Sequence, residues 1–172
     1  MRHSRMDTNE ALNESQNRIR AMALVHETLY RSDDLAKVDL SHYLSELCSY
    51  LFRAFGVDSS RIRLDFNVQP IDLSLDKTIT CGLIVNEVIS NSLKHAFPAP
   101  LSGNVSIALQ EMTDGRLILK IVDDGVGLPA GFDLNQCSSL GLQLVTILSE
   151  QIGGQMSLWH DNGTHFEISF AR

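Results

Sequence analysis

Two helical patterns occupy the first third of the chain. From Glu10 to Tyr30, apolar residues recur at helical spacing with Glu and Arg opposite them, which predicts an amphipathic helix. Its apolar face consists of Leu12, Ile19, Met22, Ala23, His26, Leu29 and Tyr30. After Ser32-Asp33-Asp34, a second helix is predicted with Asp39 as its cap and Gly56 at its end. The leucines of this helix that recur at helical spacing are Leu40, Leu44, Leu47 and Leu51.

The rest of the chain alternates between strand and helix patterns. Arg61–Val68 alternates apolar and polar residues, which predicts a half-buried strand, and Leu75–Phe97 follows as a long helix that Pro98 stops. Predicted hairpins join Val105–Gln110 to Arg116–Val122 and Gln155–His160 to His165–Phe170, around a helix at Ser139–Ile152. The stretch from Gly125 to Ser138 has no period and predicts a long loop. This order favours an α+β fold with helices on one face of a mainly antiparallel sheet.

Composition and charge exclude several classes of function. The 172 residues carry 14 Lys and Arg against 21 Asp and Glu, a formal net charge of −7. This charge argues against nucleic acid and anionic membranes as partners. No stretch approaches the ~20 apolar residues of a membrane-spanning helix, and the N-terminus does not resemble a secretory signal. Because Cys48, Cys81 and Cys137 are far apart, we expect no zinc site and a reducing, cytoplasmic setting.

Four polar residues share or adjoin one face of the predicted helix Leu75–Phe97. In LIVNEVISNSLKHAF, Asn91 follows Glu87 by four positions, and Lys94 and His95 follow Asn91 by three and four. A solvated helix face is the usual explanation for such a set. The chemical interpretation is that Asn91 offers an oxygen to a hard cation and Lys94 a charge to phosphate, while Glu87 accepts a proton from a nucleophile.

Three further motifs follow along the chain. In IVDDGVGLP, Asp123 ends a strand before Gly125 and Gly127, so its carboxylate could accept a hydrogen bond from an exocyclic amine. In SSLGLQLV, Gly141 begins a helix whose unpaired N–H groups form an anion site, although capping of that helix is the more frequent role for serines such as Ser138 or Ser139. In DNGTHFEISF, the Thr164 hydroxyl could join Asp123. Turn and cap chemistry would explain each motif taken alone.

Taken in order, NExxxNxxKH, DxGxG, SLGL and GT resemble the motifs of Bergerat-type ATPases, a superfamily that includes gyrase, MutL-type repair proteins and histidine kinases. The resemblance to the N, G1, G2 and GT elements of histidine kinases extends from about Asp72 to Arg172. It implies a two-layer α/β sandwich with a mixed, mainly antiparallel sheet, preceded by N-terminal helices. It also implies transfer of the γ-phosphate of Mg²⁺-ATP to a histidine.

The resemblance also implies a role for each motif. Asp123 would accept a hydrogen bond from adenine N6 with help from Thr164, and Asn91 would hold Mg²⁺. Glu87 would orient or deprotonate the nucleophile. Residues implied at the nucleotide or its phosphates are Asn91, Lys94, His95, Asp123, Gly125, Gly127, Ser139, Leu140, Gly141, Leu142 and Thr164. The loop Leu128–Ser138, anchored by Phe132, would close over the nucleotide as a lid.

The N-terminal segment resembles part of a phosphotransfer module. ESQNRIRAMALVHETLY and VDLSHYLSEL are similar to the second dimerisation helix, and its lead into the catalytic domain, of the HisKA-type second-variant subclass. The 172 residues contain no stretch like HHRVKNN, which carries the phosphoacceptor in that subclass. We therefore expect a fragment, with a partial dimerisation and phosphotransfer segment at 1–56 and an ATP-binding catalytic domain at 57–172. Neither His26 nor His3 matches the acceptor context.

Some residues depart from the family pattern. Asp124 stands where related kinases often have Asn, which would add negative charge near the adenine or the metal. Ser139 replaces the first glycine of the G2 element, as is common in this subclass. The related HWE subclass has W-x-E where Trp159-His160-Asp161 gives W-x-D.

Two alternatives share the fold. The first is an ATPase or serine kinase of the anti-sigma type, which the N-terminal helix pattern disfavours. The second is a non-catalytic nucleotide-binding phosphotransfer adaptor, which intact Glu87, Asn91 and Asp123 disfavour. The partners implied are ATP, the phosphoacceptor histidine helix of the full-length kinase and a response regulator. With half of the usual dimerisation helices, we expect a monomer or a weak homodimer whose first helix leaves its apolar face partly exposed.

Overall fold

A computed structural model describes residues 12, 15–24, 27, 38–129, 131–134 and 139–172. The helices of this part of the chain are α1 (15–24), α2 (Leu40–Ala54), α3 (Leu75–Asn91) and α4 (Leu140–Gln151). Helix α3 continues into a π-helical turn, Ser92–Ala96. The predicted helix Leu75–Phe97 is therefore present but changes its winding at Ser92. No helix within the described ranges is long and apolar enough to cross a membrane.

The described strands form two sheets. They are β1 (Val38–Asp39), β2 (Ile62–Val68), β3 (Asp72–Leu73), β4 (Gly103–Glu111), β5 (Arg116–Asp123), β6 (Gln155–His160) and β7 (Thr164–Ala171). The large sheet has the order β2-β4-β5-β7-β6, in which only the pair β2 and β4 is parallel. A two-residue antiparallel pairing joins β1 to β3. The predicted α+β class with a mixed, mainly antiparallel sheet is confirmed.

Local signals correctly predicted the ends of the helices and turns. The Asp39 side chain accepts a hydrogen bond from the His42 N–H at 3.2 Å and caps α2, and Gly56 follows the helix with φ of 61°. Ser139 caps α4 through the Leu142 N–H. Both predicted hairpins are present, with Gly115 at φ of 80° in the first turn.

The core lies between the large sheet and the helices on one of its faces. Alternate strand residues point into it, and those of the central strands are Val105, Ile107, Leu109, Leu117, Leu119, Ile121, Phe166, Ile168 and Phe170. The predicted stripe of α2 faces the same core, since Leu40, Leu44, Leu47 and Leu51 are fully buried. This two-layer arrangement holds α3 across the sheet and so fixes the polar residues at the end of that helix.

Helix α1 packs against the domain through a different face from the one that its apolar pattern suggests. Ala21 and Leu24 are buried, whereas residues of the predicted apolar face are exposed: Leu12 (56%), Ile19 (67%) and Met22 (43%). His26, Leu29 and Tyr30 lie outside the described residues, as do His3 and Cys137.

Candidate functional site

A cavity of ≈ 460 Å³ opens where α3, its π-helical turn and the start of α4 meet the ends of the central strands. Its apolar lining includes Val88, Ala96, Val126, Leu142 and Leu158. Polar side chains enter it from several elements: Asn91, Ser92, His95, Asp123, Ser139 and Thr164. An apolar hollow with a few convergent polar groups is typical of a small-molecule site.

The most constrained polar group in the cavity is the carboxylate of Asp123, which is 2% exposed. Its Oδ2 accepts a hydrogen bond from the Ser92 hydroxyl at 2.7 Å, and its Oδ1 accepts from the N–H groups of Gly125 at 3.2 Å and Thr164 at 3.1 Å. These three donors fix the carboxylate in one orientation. The contact with Thr164 is made by its backbone N–H, whereas the sequence suggested its hydroxyl.

The loop after β5 packs closely on the π-helical turn. The Val126 N–H donates to the Ala96 carbonyl at 2.9 Å. A β-carbon at position 125 would clash with Ala96, and Gly127 adopts a φ of 73° that favours glycine. The two glycines therefore let the loop run against α3 and form one wall of the cavity.

Glu87 is buried rather than solvated, with 4% of its surface exposed. Its Oε1 accepts from the Asn86 amide at 3.0 Å, and its two oxygens accept from Arg18 of α1 at 2.6 and 2.8 Å. A β-carbon added to Gly141 would lie 2.8 Å from Glu87 Oε2 and 3.9 Å from Asn91 Nδ2. Glu87 and Asn91 thus converge on the start of α4, where helix N–H groups lack intrahelical partners.

Comparison with known proteins identifies this arrangement. Residues 76–172, which include the cavity and α4, match the family model described as histidine kinase-, DNA gyrase B- and HSP90-like ATPase. The chain belongs to this family. Residues 1–55 match a second family model, described as histidine kinase.

The relatives of this histidine kinase-like ATPase are themselves named histidine kinases. Sensor histidine kinase PdtaS of Mycobacterium tuberculosis is 33% identical over 159 residues, which are 91% of this chain and 31% of PdtaS. Blue-light-activated histidine kinase 2 of Erythrobacter litoralis is 27% identical over 140 residues, which are 77% of this chain and 40% of that protein. The chain therefore spans less than half the length of these curated relatives.

A solved structure supports the same assignment. The histidine kinase domain from the EL346 blue-light activated histidine kinase of Erythrobacter litoralis superposes with a TM-score of 0.82 at 25% identity. The superposition covers 91% of this chain and 74% of that domain. The Bergerat-type fold that the ordered motifs suggested is therefore confirmed for this member of the family.

The ATPase fold brings most, but not all, of the sequence-predicted residues to the cavity. Those in its lining are Asn91, His95, Asp123, Gly127, Ser139, Leu142 and Thr164. Glu87, Lys94, Gly125, Leu140 and Gly141 stand outside the lining, and Leu140 is 64% exposed. Leu128, Pro129 and Phe132 of the predicted lid line the cavity, whereas residues 130 and 135–138 lie outside the described part of the chain.

Sequence reasoning missed several residues of the site. Ser92 binds Asp123 directly, but a serine next to Asn91 carries no distinctive signal. Val88, Ala96 and Leu158 resemble ordinary core residues in sequence. Asp124 accepts the Asn104 N–H at 2.6 Å and lines a second, polar hollow with Arg61 and Arg63, so its charge does not join the lining of the main cavity.

The donor set suits a nucleotide better than a metal held by protein alone. Within the described ranges, no group of three or more His, Cys, Asp or Glu side chains could hold a metal ion. Asn91, in contrast, carries a neutral side-chain amide that lies close to Gly141 at the start of α4. Mg²⁺ commonly takes one or two protein oxygens and completes its shell with phosphates and water. The residues present therefore fit Mg²⁺ as a companion of bound phosphates.

Proposed function

We propose that this chain is the ATP-binding catalytic part of a sensor histidine kinase and transfers the ATP γ-phosphate to a histidine imidazole. The observation that carries the proposal is the buried carboxylate of Asp123, fixed by three donors at the wall of a mostly apolar cavity. Such an acceptor selects a ligand that presents an N–H donor between flat apolar faces, and the adenine amine has this character. Membership of the ATPase family supports the same ligand.

The adenine would lie between apolar side chains of α3, α4 and β6. Val88, Leu142 and Leu158 line that part of the cavity. Asp123 would accept from the exocyclic amine through Oδ2, the oxygen that Ser92 holds in place. Phe132 and the loop around it would cover the ring and exclude water.

The phosphates would lie toward the start of α4. The N–H groups of its first turn and the positive end of its dipole favour an anion there. His95 lines the cavity, and Lys94 beside it would offset phosphate charge from the same π-helical turn. Asn91 would hold Mg²⁺, which supplies electrostatic stabilisation to the transferring phosphoryl group.

Glu87 would act on the incoming nucleophile. Its carboxylate lies next to Gly141 and Asn91, at the end of the site where the γ-phosphate would be. A neutral imidazole needs less help from a base than water does, so orientation of the ring through its N–H is the principal role of Glu87. The acceptor ring would belong to a histidine outside the described residues.

The partners follow from this chemistry. The match of residues 1–55 to a histidine kinase model favours a histidine acceptor over the serine acceptor of anti-sigma kinases. A response regulator would then take the phosphoryl group, as part of a two-component system. The free, buried thiols of Cys48 and Cys81 fit a cytoplasmic location.

A transfer assay tests the proposal. The chain is incubated with Mg²⁺ and ATP labelled at the γ-phosphate, together with a separate chain that carries the acceptor helix. We expect acid-labile, base-stable label on the separate chain and no stoichiometric label on His3 or His26. Acid-stable label would indicate a serine kinase instead, and no label on any acceptor would refute the proposed activity. Asp123→Asn serves as the control: at an ATP concentration well below the Kd it should lower the label in proportion to its loss of affinity.

A further inference from the structure

Arg18 of helix α1 contacts Glu87, the carboxylate that is proposed to act on the nucleophile. The guanidinium of Arg18 binds both oxygens of Glu87, with Nε to Oε1 at 2.6 Å and Nη2 to Oε2 at 2.8 Å. Only 18% of the Arg18 side chain and 6% of the Glu87 side chain are exposed. A two-point pair between a guanidinium and a carboxylate is both strong and specific in geometry. The contact therefore differs from an incidental surface ion pair.

Arg18 is held in place by the helix that carries it. The Tyr43 hydroxyl of α2 donates to the Ala21 carbonyl of α1 at 2.8 Å, and Tyr50 donates to Asn17 Oδ1 at 3.3 Å. Burial raises the pKa of Tyr43, so its hydroxyl stays protonated and remains a donor. Leu24 adds a buried apolar contact. Docking of α1 on α2 therefore presents Arg18 to Glu87.

Both oxygens that would receive the nucleophile are engaged by Arg18. Oε1 accepts in addition from Asn86, and Oε2 lies against Gly141 at the start of α4. An imidazole N–H that approached Glu87 would have to compete with a guanidinium that binds at two points. The docked helix thus keeps the carboxylate occupied.

We propose that Arg18 is a latch that withholds Glu87 from the acceptor while α1 is docked, an inference that rests on the proposed function. In the reaction, one ring nitrogen of the acceptor forms the N–P bond as the bond from phosphorus to the ADP oxygen breaks. The other ring nitrogen, which carries the proton, donates to Glu87. Displacement of α1 replaces Arg18 by this N–H, so the buried carboxylate does not lose its partner.

The latch is tested with the unaltered 172-residue chain and four variants, at Arg18, Arg20 and Glu87. Arg18→Gln removes both the positive charge and the guanidinium that binds at two points. Arg18→Lys keeps the charge but not the two-point geometry. Arg20→Gln is the matched control: it loses the same charge from the same helix, but Arg20 pairs with exposed Glu27 at 3.3 Å and faces Tyr50 at 5.8 Å. This control therefore reports any general weakening of α1 docking.

Two measurements are made on each variant. Amide hydrogen exchange follows the docking of residues 15–24, and the transfer assay gives the initial rate of phosphohistidine formation on the separate acceptor chain. We expect Arg18→Gln to speed exchange at least about tenfold, which corresponds to ~1.4 kcal/mol, and to raise the transfer rate several-fold with little change in the KM for ATP. For Arg18→Lys, both rates should lie between those of the unaltered chain and of Arg18→Gln. Arg20→Gln should change the transfer rate less than about twofold.

The outcomes separate the latch from the proposed function. A lower transfer rate in Arg18→Gln, or unchanged exchange and rate, would overturn the latch while leaving the kinase assignment intact. Absence of transfer in every variant, including the unaltered chain, would refute the proposed function and the latch with it. Glu87→Gln breaks the same ion pair but leaves no carboxylate for the acceptor, so it separates release of Glu87 from a general effect of loosening α1. It should speed exchange as Arg18→Gln does, without the gain in rate.

Discussion

Replacement of Asp123 by Asn separates the adenine contact from the packing around it. Oδ1 of Asp123 accepts the N–H groups of Gly125 and Thr164, and the carbonyl oxygen of an asparagine would keep both bonds. Oδ2 accepts the Ser92 hydroxyl at 2.7 Å, and an NH₂ group there could donate to the same hydroxyl oxygen. The fold should therefore persist. The adenine amine, in contrast, would face a donor where it had an acceptor.

The Asp123→Asn substitution should therefore lower the affinity for the nucleotide. A buried donor that loses its acceptor costs ~1–3 kcal/mol, which corresponds to about 5- to 150-fold in Kd. Calorimetric titration with a nonhydrolysable ATP analogue measures this change, and thermal unfolding checks that the variant is folded. Ser92→Ala keeps the carboxylate but removes one of its hydrogen-bond donors, so it should lose less affinity than Asp123→Asn. Unchanged affinity in a folded Asp123→Asn variant would refute the adenine contact.

Three further predictions concern the metal, the core and the assembly. Asn91→Ala should weaken Mg²⁺-ATP much more than adenosine in calorimetric titration, and equal weakening of both would indicate a structural role. Burial raises the pKa of Cys48 and Cys81 from 9.0 to about 12, so the stability that the neutral thiols contribute is fully present below about pH 9. This stability should be lost as the pH rises from about 9 toward about 12. Urea unfolding at increasing pH would detect the loss, and a urea midpoint that does not change over this range would contradict the prediction. Light scattering across a dilution series should show a monomer or a weak dimer, and a tight dimer at nanomolar concentration would contradict the expectation.

The parts of the structure that depend on neighbours in sequence were predictable. The cap of Asp39, the buried leucines of α2 and the two hairpins each follow from a local pattern of 3.6 or 2 residues, or from a turn that needs glycine. The motif residues Asn91 and Asp123 also reached one cavity, because the order of the elements brings the end of α3 to the end of β5.

Contacts between distant residues could not be predicted in this way. Arg18 and Glu87 are 69 positions apart, and neither the helix pattern of α1 nor that of α3 selects this pair. Helix α1 docks through this contact and through hydrogen bonds to Asn17 and Ala21, rather than through its apolar stripe. The pairing of β1 with β3 was missed because a two-residue strand has no period to detect.

Discrimination between adenine and guanine tests the central claim most directly. Asp123 presents an acceptor to the base, and adenine offers an N6 donor where guanine offers the O6 acceptor. Calorimetric titration of the chain with matched nonhydrolysable analogues of ATP and GTP should show one ATP analogue bound per chain and affinity for the GTP analogue at least about tenfold weaker. Equal affinity for the two analogues, or no binding of the ATP analogue, would contradict the assignment of this cavity as an adenine nucleotide site.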